Sequence, residues 1–180
     1  MTQITGSSGE LAEVDQQHRL QTFAVVQDLE QTLSLNGLLS SVFFQVTPAG
    51  ANDYFFYISN TGVADIGFNM IALSSDSPTK MLVERVIGTP VYVTGTDAEV
   101  TNLNGASPLA PLMEAKFDTD ITGLTKTGHL TFMEAAVADT IYTDKVFGGI
   151  VIPQGGAVAF KRVEATGLMT VNLSIGVLSF

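Results

Sequence analysis

The chain has 180 residues, 46% of them hydrophobic, enough for one domain with a sizeable core, and no apolar run reaches the roughly 18 residues of a membrane-spanning helix. Eight lysines and arginines stand against eighteen aspartates and glutamates, a net charge of −10, which excludes the clustered basic surface that binds nucleic-acid phosphates. There is no cysteine, so disulfides, thiolate metal sites and cysteine nucleophiles are excluded together.

Residues 1–19 read as an extended N-terminal arm. Its opening, MTQITGSSGEL, is small and flexible, and EVDQQHR is a polar clump. No basic stretch followed by an apolar core marks a signal peptide. Residues 20–180 read as the folded domain. From Leu20 the hydrophobic pattern has period two: LQTFAVVQD alternates loosely, and Val42–Val46 and Tyr54–Ser59 are dense in β-branched and aromatic residues. The window Gln27–Leu39 has the pattern for about two helical turns, but Gly37 and its β-rich neighbours favour an extended reading at least as much. Ala64–Leu73 follows a turn-like Asn60–Gly62, and Lys80–Gly88 and Thr89–Gly95 read as two strands divided at Gly-Thr-Pro. Ser107–Glu114 carries two prolines and reads as a loop. His129–Ala135, Lys145–Ile152, Gly156–Glu164 and Leu168–Phe180 complete the candidate strands. Turn residues punctuate them at 47–52, 75–78, 153–156 and 165–167. Short strands at this spacing predict an all-β sandwich or barrel.

Side chains suited to catalysis are sparse. The two histidines, His18 and His129, stand far apart, and a β-barrel metal site needs several that converge with a carboxylate. No G-x-S-x-G elbow is present for a serine nucleophile. Asp118 and Asp120 flank Thr119 and fall on one face of a strand, which reads as a solvated strand edge or a weak cation site rather than a glycosidase pair. Asp139 and Asp144 lack the spacing of a calcium loop. The glycines at 147–149 and 154–156 read as turns, outside any strand–loop–helix phosphate site. No catalytic residue, metal or cofactor is therefore assigned. In YFFY at 54–57, alternate side chains face opposite ways, so one pair packs the core and the other a second buried surface or an interface. A carbohydrate platform is the weaker reading, since the chain has no tryptophan.

Three segments carry a family resemblance. Ala12, Glu13, Val14, Asp15, Arg19, Leu20, Thr22, Phe23 and Val25 match the opening line A-E-V-D-x-x-x-R-L-x-T-F-x-V. Thr89–Val91 with Asn102–Ser107 match a middle T-P-V and N-L-N-x-(A/G)-S. Gly148–Ala159 matches G-G-I-V-I-P-x-G-G-A-V-A. In these the chain resembles the small β-sandwich structural proteins of tailed-bacteriophage virions. It departs from them in the 27–39 window, which is more hydrophobic.

The resemblance implies a jelly-roll-like antiparallel β-sandwich with an extended N-terminal arm. It implies a cement or decoration protein that binds the major capsid protein shell and stabilises the head, or else a neck, fibre or glycan-binding component of the virion. The protein would then be a homo-oligomer, trimer or dimer, on the capsid surface, contacting neither nucleic acid nor membrane. Independently, charged residues make up only 14% of the chain, which suits a surface shared with neighbours. The arm residues Ile4, Leu11, Val14, Asp15 and Arg19 are the candidate capsid contacts.

Overall fold

The computed structural model describes residues 36–104, 113–144, 149–164 and 167–178, together with the backbone of three short N-terminal strands, β1 (Gln3–Thr5), β2 (Leu11–Val14) and β3 (Leu20–Gln21). These three pair antiparallel in the order β1-β2-β3. The remaining strands are β4 (Leu39–Val46), β5 (Tyr54–Asn60), β6 (Asp65–Ser75), β7 (Thr79–Tyr92), β8 (Thr96–Asp97), β9 (Glu99–Asn102), β10 (Met113–Ala135), β11 (Tyr142–Asp144), β12 (Ile150–Ile152), β13 (Ala157–Arg162) and β14 (Met169–Leu178).

They form an antiparallel β-sandwich. One sheet, the front sheet, runs β5-β13-β7-β10-β8; the other, the back sheet, runs β11-β6-β14-β4-β9, with β12 also on β6. Among the eight principal strands β4, β5, β6, β7, β10, β12, β13 and β14, the first, eighth, third and sixth share the back sheet. The second, seventh, fourth and fifth share the front one. That order is compatible with a jelly roll, two Greek keys wound together.

The core lies between the sheets and is built by alternation. Val42, Phe44 and Val46 of β4, Ile71 and Leu73 of β6, and Met169, Val171 and Leu173 of β14 point inward from the back. Phe56, Ile58, Met81, Val83, Val158 and Phe160 meet them from the front. Phe44 stacks on Phe56 at a centroid distance of 4.4 Å and on Phe117 at 5.4 Å, so one back-sheet ring is clasped by two front-sheet strands. Phe160 meets Phe56 edge-on at 5.0 Å. Each such buried ring contributes about 2–3 kcal/mol through area alone.

Arg162 lies in this interior with no exposed surface. Its Nε donates to Thr79 Oγ1 at 3.1 Å, Nη1 to the Gly167 carbonyl at 2.9 Å and Nη2 to Ser77 Oγ at 3.4 Å. It ties the β6–β7 turn to the loop before β14. Burial pulls its guanidinium below the ordinary value, against the opposing charge of Asp76.

Several expectations change. Gly-Thr-Pro does not divide two strands, because β7 runs unbroken through Gly88, Thr89 and Pro90. His129–Ala135 is the last part of a 23-residue strand that also takes in Met113 and Glu114 from the expected loop and runs on through Thr127 and Gly128. YFFY does not alternate strictly. A register shift opposite Phe160 and Lys161 makes Phe55 an extra residue in β5. Phe55 and Phe56 therefore both enter the main core, and Tyr54 and Tyr57 form part of a second cluster. Leu39 opens β4, whereas residues 27–35 of the ambiguous window lie outside the described residues.

Candidate interaction surface

β7 and β10 outrun the sandwich. Val86 still pairs with Ala157 at the start of β13, but Ile87 to Tyr92 pair with β10 alone. This two-stranded ribbon turns back over the outer face of its own sheet until Ile121 pairs with both Tyr92 and Tyr54. The pairings β5–β13–β7–β10–β5 thus close into a ring. Inside the ring is the second cluster, with Tyr57, Val86, Ile121 and Ala159 buried and Tyr54, Tyr92, Leu124 and Ala157 packed against them. The alanines on β13 leave the room that lets the ribbon close down.

Two glycines allow the approach. Gly88 has φ 109° and Gly123 φ 77°. A Cβ on Gly88 would run into the Gly123 carbonyl oxygen, and one on Gly123 into the Thr89 carbonyl oxygen. Both positions therefore require the residue without a side chain.

Two carboxylates pin the ribbon. Asp118 sits where the β10–β5 register shifts between Phe117 and Ile121, and that irregularity turns it inward. The expectation of a solvated edge fails here: Asp118 is buried. Its Oδ2 accepts from the Thr94 and Gly95 amides at 2.7 and 2.9 Å, and Oδ1 from the Thr119 amide at 2.7 Å. Burial alone would raise this carboxyl, but the backbone N–H groups outweigh it and hold it below its ordinary value. Asp120 goes the other way, raised by burial and by the charges of Asp53 and Asp118.

Glu84, 1% exposed, lies at the junction of the ring. Tyr54 of β5 donates to Oε2 at 2.7 Å, and Lys126 of β10 meets Oε1 at 2.6 Å. Lys161 of β13 sits 5.5 Å from the Tyr54 ring centroid. One carboxylate on β7 thus gathers side chains from the other three strands of the ring. Burial pushes Glu84 up, and the bonds from Lys126 and Tyr54 more than reverse it, leaving it below its ordinary value. Burial and the Glu84 charge in turn hold the Tyr54 hydroxyl well above the usual phenol range.

The ribbon's outer side is the surface these anchors present. Ile87, Val91 and Val93 are 60%, 57% and 74% exposed. No charged residue occurs from Ile87 through Thr96 or from Ile121 through Thr125. At its foot a cleft of about 280 Å3 opens between Arg85–Gly88 and Val151–Val158, with Arg85 its one charged lining residue.

The back sheet has an equally uncharged outer face. Ser41, Phe43 and Gln45 of β4 lie beside Asn172 and Thr170 of β14, with Met70, Ala72 and Ser74 of β6 beyond. Ser41 donates to Asn172 Oδ1 at 2.9 Å and Gln45 Nε2 to Thr170 Oγ1 at 3.0 Å. Glu99, opposite Phe43 on β9, and Asp65, opposite Leu178 at the start of β6, are the charges at its margins. The front sheet differs, carrying Lys80, Glu84, Lys126, Glu134 and Lys161 on its outer face.

Of the expected capsid contacts, Ile4 pairs with Ala12, Leu11 with Thr5 and Val14 with Leu20. By strand alternation Ile4 and Val14 fall on one set of positions and Leu11 on the other. Asp15, Arg19 and His18 lie outside the described residues. His129 is exposed and opposite Glu84 in the ladder. Among the described residues no group of three His, Asp or Glu is placed to hold a metal ion. Reading by element overlooked the ribbon: the uncharged run IGTPVYVTGT is visible in the sequence, but its pairing with residues 121–125 is not.

Compared with known proteins, the chain matches no protein-family model, no curated protein and no solved structure.

Proposed function

We propose that the protein is a structural component of a tailed-bacteriophage virion, binding the major capsid protein shell as a cement or decoration protein and stabilising the head. The observation that carries this reading is the β7–β10 ribbon: a rigidly anchored, uncharged ridge with Ile87, Val91 and Val93 turned to solvent. Contiguous apolar surface held out by a stiff frame fits a docking site for another protein. The sequence resemblance supplies the identity of the partner, and the low charge of the whole chain agrees with a shared surface.

Stabilisation follows from mass action. A protein that binds the assembled shell, and not the free subunits, shifts the equilibrium toward the shell by the logarithm of its occupancy. The ribbon contributes apolar burial at about 25 cal/mol per Å2. The N-terminal strands, with Ile4, Leu11 and Val14, extend the footprint to a neighbouring subunit.

A glycan-binding head is less well supported. Phe44, Phe55, Phe56 and Tyr57 are buried, and the exposed rings Phe43 and Phe132 lie on opposite sheets, so the described residues form no aromatic platform.

Co-sedimentation with purified expanded shells tests the reading. Wild-type protein should pellet with shells and saturate. Ile87→Asp/Val91→Asp should stay folded and lose binding, and deletion of residues 1–15 should weaken it. Failure of the wild-type protein to bind shells would overturn the proposal.

A further inference from the structure

We infer that the outer face of the back sheet packs against the same face of a second copy of the chain. This goes beyond the capsid reading and stands whether or not the protein decorates a shell. The argument rests on charge. Two copies, each at −10, repel one another, and that repulsion is least where carboxylates are absent from the contact. The front sheet's outer face cannot serve so well, because apposing it would set Lys126 and the Lys80 pairs with Glu134 and Glu164 against their own copies. The back face brings Ser41, Gln45, Asn172 and Thr170 into contact, with Glu99 and Asp65 left at its edges.

The same residues make the face self-complementary. Asn172 accepts from Ser41 and keeps its amide N–H groups free of any hydrogen bond within this pair, while the hydroxyls both donate and accept. A two-fold axis sets each residue against its own kind or its neighbour, so a surface holding both donors and acceptors can satisfy itself. Phe43, 40% exposed beside Asn172, supplies the apolar anchor that such interfaces centre on. The contact is isologous, and therefore makes dimers.

Sedimentation velocity across a concentration series tests this with Asn172→Asp, which keeps the acceptor for Ser41 and replaces the amide donors with a charged oxygen. The wild-type chain should dimerise, more strongly as salt screens the net charge. Asn172→Asp should raise the dissociation constant by about tenfold or more, with part of the loss restored by salt. Thr125→Asp on the ribbon should leave dimerisation unchanged. Gln45→Glu serves as the second variant, and an unaltered melting temperature establishes that each is folded. A monomer at all concentrations, a trimer, or a dimer indifferent to both back-face charges would overturn the inference. So would a monomeric wild type whose shell binding is abolished by Asn172→Asp, since the face would then belong to the shell. Loss of shell binding in the ribbon variants with an intact dimer separates the two proposals.

Discussion

The Tyr54 hydroxyl donates to Glu84 Oε2 at 2.7 Å across two strands that are not neighbours in the ladder, with β13 between them. Lys126 closes the same carboxylate from the far side at 2.6 Å. The charge is thereby buried with partners on both oxygens, and the ribbon that returns over the front sheet is fixed at its base.

Removing that carboxylate should therefore be costly. Glu84→Ala strands the Tyr54 hydroxyl and Lys126 together and is expected to lower stability by about 2–4 kcal/mol. Tyr54→Phe leaves Lys126 in place and should cost about 1 kcal/mol. Urea unfolding of both variants checks the ranking. Equal losses would mean that Glu84 is not the node of the ring.

Asp118→Ala frees the amides of Thr94, Gly95 and Thr119. A loss of about 2–3 kcal/mol is expected, with hydrogen exchange accelerated first at residues 93–97. Uniform acceleration across the sandwich would show instead that Asp118 supports the whole fold and not the ribbon turn.

Gly88→Ala and Gly123→Ala each place a methyl group against the backbone of the opposite strand and at an unfavourable φ. Either should cost more than about 1–2 kcal/mol. Because both glycines serve one crossing, the double variant should cost less than the sum. Strict additivity in a double-mutant cycle would contradict the shared crossing.

Acid should weaken the fold. Glu84 and Asp118 are held below their ordinary values of 4.5 and 3.8 in the folded chain. Each therefore contributes stability that is complete above those values and is lost as the pH falls through them toward the lower folded values. Asp120 is raised above 3.8 and works in the opposite sense, since the folded chain takes up its proton first. With two carboxyls against one, the melting temperature should fall between about pH 5 and pH 3. Glu84→Gln should flatten that fall, and an unchanged slope in that variant would remove Glu84 from the account.

The sandwich was legible in the sequence because its core strands alternate. Val42–Val46 and Leu168–Phe180 show one apolar face each, and the structure makes them β4 and β14. The ribbon was not. Gly88 and Pro90 have the composition of a turn, and only the facing Gly123, far along the chain, lets the strand run on through them. From Thr122 to Thr131 the chain is rich in threonine and glycine, and three register shifts against β7 reset which side chains face inward, so no period of two survives there. Asp118 looked solvated because its partners, the amides of Thr94 and Gly95, leave no mark on the sequence near it. Phe55 and Phe56 facing the same core likewise depend on a register shift set by β13. What was missed is non-local: each case is a contact between segments whose meeting the chain's own pattern does not record.

The capsid reading is tested most directly by the copy number of this chain in purified particles of a phage whose genome carries its gene, measured by quantitative mass spectrometry against the major capsid protein. A cement or decoration protein is expected at hundreds of copies per particle, in fixed proportion to the capsid subunit. A dozen copies or fewer, or none, would contradict the account.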